Sequence, residues 1–117
     1  MISTPMMQLL ERFLDVSADR QRLVTTNMAN IDTPGYKTMD LNFRSELDRA
    51  TTAEDGPMLG TVAHRVPGLL QRPDGNDVSL DRESMLLAET QMQFRIGIQF
   101  LRTEFHRLLH AINEGKE

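Results

Sequence analysis

The sequence predicts an all-α protein. Long N- and C-terminal helices form a coiled-coil-like pair that packs with neighbouring subunits, and the segment between them is irregular. Three observations carry this reading. An apolar stripe at helical spacing fills residues 6–31 and stops at Thr33-Pro34-Gly35. A more regular stripe, in alternating steps of three and four residues, runs from Leu87 to Ile112. Between Thr51 and Asp77, four Gly and three Pro fall within 27 residues that show no sustained period. The chain therefore divides into residues 1–37, 38–77 and 78–117.

The first helix is expected from about Thr4 to about Asp32. Thr4 suits the N-cap, and Pro5 suits the first helical position because its missing N–H would have no partner there. Leu9, Val16 and Leu23 recur every seven residues, with Met6 and Phe13 on the same side. Val24, Met28 and Ile31 carry the stripe onward. Pro34 drives Thr33 out of the α region, and Gly35 is free to take a positive φ, so the helix ends there. Asn27, Ala29 and Asn30 are weak choices for helix stability alone. They suit a place where polar side chains bond a neighbouring backbone and where Ala29 lets another helix come close.

The middle segment is expected to hold at most one short helix, at 40–50, anchored by Leu41 and Phe43. Gly56, Gly60, Gly68 and Gly75, with Pro57, Pro67 and Pro73, break everything after it. Asp74-Gly75-Asn76-Asp77 has the opening of a calcium loop, but Met85 stands where the bidentate Glu would be needed, so a turn before a helix is the expectation.

The C-terminal helix is expected over 79–113. Leu87, Phe94, Leu101 and Leu108 are spaced by seven, and Gln91, Ile98, Phe105 and Ile112 follow each of them four residues later. Gln91 is the one polar position of this seam. Ser79 suits the N-cap, Asp81 and Glu83 favour the positive end of the helix dipole, and Asn113 and Gly115 mark the terminus. Two helices alone cannot bury both faces of so long a seam, so the sequence asks for partner helices. The assembly seam is assigned to Leu9, Phe13, Val16, Leu23, Leu87, Phe94, Ile98, Leu101, Phe105, Leu108 and Ile112.

Composition narrows the function classes. Net charge is −4 with no basic patch, which argues against nucleic acid as a partner. No run of about 18 apolar residues suggests a membrane span. No cationic start followed by an apolar stretch and a cleavage site suggests a cleaved secretory signal. The chain has no cysteine, hence no disulfide chemistry. His106 and His110 have a spacing that can bind zinc, but Arg107 stands where a metalloprotease carries Glu, and no third ligand is evident. No catalytic, metal or cofactor residues are expected, and the chain is not read as an enzyme.

Asn27-Met28-Ala29-Asn30-Ile31-Asp32-Thr33-Pro34-Gly35-Tyr36 resembles the N-terminal signature of the bacterial flagellar axial proteins, the rod, hook and hook-associated family. Asn27, Ala29, Asn30, Thr33, Pro34, Gly35 and Tyr36 match its form, Asn-x-Ala-Asn-x-x-Thr-Pro-Gly-Tyr, and form the expected assembly motif. Met28 stands where Ile or Leu is commoner. Asp40-Leu41-Asn42-Phe43 and Val78-Ser79-Leu80-Asp81-Arg82-Glu83 resemble segments of that family's smallest rod proteins, the proximal-rod type, and the likeness covers residues 8–113. The resemblance implies a structural component of the flagellar basal body that transmits motor torque through packed helices. It also implies a location in the periplasmic rod after export by the flagellar type III apparatus. The implied partners are further copies in the rod, other rod subunits, the adaptor to the MS ring and the export gate. The alternative from another class is a soluble coiled-coil adaptor that binds one helical partner.

Overall fold

The computed structural model describes residues 4–52 and 60–115. Thr4 caps helix α1 (Pro5–Ala29), its hydroxyl accepting from Met7 N at 3.1 Å. The helix ends at Ala29, three residues before the expected Asp32, because the chain turns at Asn30–Gly35. Strand β1 (Met39–Asp40) follows, then helix α2 (Phe43–Thr52). Asp40 is thus strand rather than the start of the short helix, and the helix expected at 40–50 sits at 43–52 instead. Asn42 supplies the reason: its side chain accepts from Ser45 N, and its carbonyl accepts from Glu46 N, so the helix begins after it. The Gly56 and Pro57 breaks lie outside the described residues.

The returning chain forms β2 (His64–Arg65), which pairs antiparallel with β1 through Met39↔Arg65 and Asp40↔His64. This small ladder was not foreseen in the irregular middle. Two residues per strand are too few to show a period. Helix α3 (Leu80–Glu114) begins at Ser79, whose hydroxyl accepts from Arg82 N at 3.2 Å. No described helix is long and apolar enough to cross a membrane.

The two long helices run antiparallel in one register. Asn27 meets Glu83 at one end, and Phe13 and Leu14 lie against Gly97 fourteen positions further along each helix. A Cβ on Gly97 would stand 2.7 Å from Leu14 Cδ2, so the two helices pack closely at this glycine. Helix α2 packs against α1, with the Phe13 and Phe43 rings edge to face at 5.5 Å. The molecule measures 71 × 27 × 18 Å with a radius of gyration of 18.3 Å, well above the about 13 Å of a compact domain of this size.

Candidate assembly site

The signature at 27–36 folds as a polar junction docked onto the start of α3. Asn27 is fully buried and uses all of its hydrogen-bonding capacity. Its Nδ2 donates to Met39 O (2.8 Å) and Glu83 Oε2 (3.2 Å); its Oδ1 accepts from Tyr36 Oη (2.9 Å) and Met39 N (3.1 Å). One side chain thereby ties α1, the loop after it, β1 and α3 together.

Asn30 acts locally. Its Nδ2 donates to Thr26 O and its Oδ1 accepts from the Thr33 hydroxyl. The link to the far side comes from Asn76, fully buried, whose Nδ2 donates to both Asn30 O and Thr33 O at 2.9 Å. Asp74 O accepts from Gly35 N at 2.9 Å, and Arg72 donates to Ile31 O. Gly35 has φ +75°, as its place after Pro34 predicts. Gly75 has φ +89°, and a Cβ on it would lie 3.3 Å from Gly35 Cα, so the two turns meet glycine to glycine. The Asp74–Asp77 stretch is a turn, and its carboxylates are engaged within the chain: Asp74 Oδ1 accepts from Asn76 N, and Asp77 Oδ1 from Thr38 N.

A charged network continues from Glu83. Arg82 bridges Glu83 Oε1 (2.8 Å) and Asp40 Oδ2 (2.7 Å), and Arg20 donates to both oxygens of Asp40 at 3.1 and 3.2 Å. Burial disfavours the Asp40 carboxylate, but the Arg20 and Leu41 N–H donors, the Arg20 charge and Arg82 outweigh it and hold its pKa below the ordinary value. Burial raises the Tyr36 pKa, with Glu83 and Asp77 adding to it, so the phenol stays protonated as the donor to Asn27. Glu46 is likewise buried, yet Arg49, Val62 N and His64 hold its pKa down.

The sequence-assigned residues are distributed unevenly. Asn27 is buried, Asn30 and Tyr36 are half-buried, and Ala29, Thr33, Pro34 and Gly35 are exposed. Within one chain nothing covers Ala29, so it offers no close helix contact here. Along the seam Val16 is buried, while Phe13, Leu23, Leu87, Phe94, Leu101 and Leu108 are half-buried. Leu9, Ile98, Phe105 and Ile112 remain exposed, Phe105 by 48%. Gln91 is exposed on the same side. The Leu87 row thus flanks the intramolecular contact and the Ile98 row lies outside it. His110 Nε2 lies 3.0 Å from Glu114 Oε1, and no group of three metal-ligating side chains occurs among the described residues.

Sequence reasoning missed Asn76, Gly97 and the Arg20–Asp40–Arg82 network. Gly97 had a signal: it is a glycine inside a strong helical period, which points to a close packing contact. The partners of Asn76 are 43 and 46 residues away, and no local pattern encodes them.

Comparison with curated proteins gives this architecture a class, that of flagellar basal body rod proteins. The chain is 30% identical over 122 residues to the flagellar basal body rod protein FlgB of Salmonella typhimurium, covering 87% of this chain and 88% of that protein. It is 28% identical to FlgB of Escherichia coli K12 over 125 residues, covering 87% and 88%. It is 31% identical to FlgB of Borreliella burgdorferi over 106 residues, covering 73% and 78%. No family model matches the chain. The chain belongs to the FlgB family of flagellar basal body rod proteins, and its function is that of a structural subunit of the rod.

Proposed function

We propose that this subunit sits in the proximal, periplasmic part of the rod and transmits torque through helix packing between subunits. Its neighbours are copies of itself, other rod proteins, the adaptor to the MS ring and, during assembly, the export gate. It reaches the rod through the flagellar type III apparatus. The polar junction fixes the angle between α1 and the chain that follows, and the antiparallel helices supply a stiff rail.

The observation that supports this reading is the state of α3. One stripe of its first half is held by the junction, α1 and β1, yet Met85, Met92 and Ile96 there and Ile98, Phe100, Phe105, Leu109 and Ile112 in its second half lie exposed. A soluble monomer gains nothing from that arrangement, whereas a subunit that completes its core against neighbours does. The test is Leu101→Asp, which places a carboxylate in the half-buried line of α3. Cells carrying it should make the protein but no intact basal bodies and should not swim, while His106→Gln, exposed and on the far side of α3 from Gly97, should leave both intact. Normal rods in the Leu101→Asp strain would refute the helix-packing reading.

A further inference from the structure

Helix α3 carries exposed apolar residues on two flanks, about 90° to one side of the Gly97 stripe and about 100° to the other at a helical turn of 3.6 residues. Ile98, Phe105 and Leu109 form the first row; Met85, Met92 and Ile96 form the second. The rows repeat the same spacing, a step of seven and then of four, and each residue of the first stands thirteen positions beyond its counterpart in the second. Ile112 extends the first row and Phe100, 60% exposed, the second, at an offset of twelve.

We infer that these rows are the two halves of one contact between copies of this chain: the Ile98–Phe105–Leu109 row of one copy packs on the Met85–Met92–Ile96 row of the next, with the helices parallel. The inference rests on the rod reading and adds the identity and register of the neighbour. A common offset puts all three pairs level at once, so the two helices slide to a single position. Thirteen residues of rise correspond to an axial shift of about 20 Å between copies. The same offset brings Arg102 level with Glu89, an exposed opposite pair for which neither residue has a described partner within its own chain. Because the two rows are different surfaces, the contact is heterologous. With an axial shift it generates a helical array rather than a closed pair.

The chain has no cysteine, so single cysteines report the contact cleanly. Full-length Phe105→Cys and Met92→Cys chains are mixed and treated with a short bis-maleimide linker. The mixture should yield a cross-linked dimer that neither chain gives alone. The Phe105→Cys/Met92→Cys double variant should give a ladder of multimers. Its two cysteines lie on opposite flanks about 20 Å apart along the helix, so the short linker cannot join them within one copy. Adding Leu109→Asp to the Phe105→Cys chain should cut the cross-link at least about tenfold, because it places an unpaired carboxylate in an apolar contact. Circular dichroism should show unchanged helix in that variant, since Leu109 is exposed in the single copy. Absence of the mixed dimer, or a Phe105→Cys homodimer of equal yield, overturns the contact. Deletion of the gene tests the underlying rod reading separately. Intact rods in the deletion strain would refute that reading, whereas lost rods together with silent cross-linking would refute only the register.

Discussion

Asn27 and Glu83 are 56 residues apart, fully buried, and joined by a hydrogen bond of 3.2 Å. The bond closes the hairpin at its junction end. Each partner is satisfied from its other side as well, Asn27 by Met39 and Tyr36 and Glu83 by Arg82. Neither can be changed without stranding buried polar atoms.

Asn27→Asp should therefore destabilise the chain by about 3 kcal/mol, because it sets one buried carboxylate against another and removes the donor to Met39 O. Asn27→Ala should cost less, about 2 kcal/mol, since it strands partners without adding charge. Urea denaturation of the purified protein measures both, and equal midpoints for Asn27→Asp and wild type would contradict the burial of this pair.

Gly97 sets the helix spacing. Replacing a mid-helix glycine by alanine ordinarily gains about 1 kcal/mol of helix propensity. Here the new methyl would meet Leu14 at 2.7 Å and Phe13 at 3.2 Å. Leu14 can shift its side-chain end, so Gly97→Ala should come out near neutral. Gly97→Leu has no such outlet and should cost about 2 kcal/mol or more. Thermal melts of the two variants check the contrast; a Gly97→Leu chain as stable as wild type would mean that the helices are further apart than described.

The two junction glycines should differ. Both have positive φ, which costs a residue with a Cβ about 1–2 kcal/mol. Gly35→Ala meets nothing within 4 Å and should pay only that strain. Gly75→Ala also presses against Gly35 Cα at 3.3 Å and should be the more damaging of the pair. Denaturation midpoints and swimming assays should rank them in that order.

Acid should weaken the fold through Asp40 and Glu46. Their folded pKa values lie below the ordinary ones, so the folded state binds fewer protons than the unfolded chain as pH falls. The contribution is present in full above the unfolded carboxylate pKa of about 4 and is lost as pH falls through the lower folded values. Asp40→Asn should be less stable at neutral pH and should show a shallower acid limb. An unchanged acid limb in that variant would remove Asp40 from the account. Tyr36 acts at the other end: its raised pKa means that stability falls as pH rises past about 10, where the unfolded phenol ionises first.

Much of this molecule was readable in its sequence, and the pattern of what was not is physical. Thr4, Pro5 and Ser79 located the helix starts because capping is a local matter of one side chain and a few N–H groups. The seven-residue repeats located the long helices for the same reason. The repeats could not say which flank of α3 belongs to the same chain, since Leu101 and Phe105 read alike as apolar seam positions. The structure leaves Leu101 half-buried and Phe105 exposed. The junction's residue types were plain from the motif, but Asn76, Asp40 and Arg82 reach it from distant positions that no spacing rule connects.

Among the described residues, seven apolar and eight polar or charged side chains are buried. Unfolding such an interior hydrates little hydrocarbon, and newly hydrated polar groups lower the heat capacity while apolar ones raise it. The heat-capacity increment of the single chain should therefore fall below the about 12–15 cal/mol/K per residue of ordinary domains. Its stability curve should be correspondingly flat across temperature. Most of the steep, cooperative melting of the assembled structure would then come from surfaces that a lone subunit leaves in water.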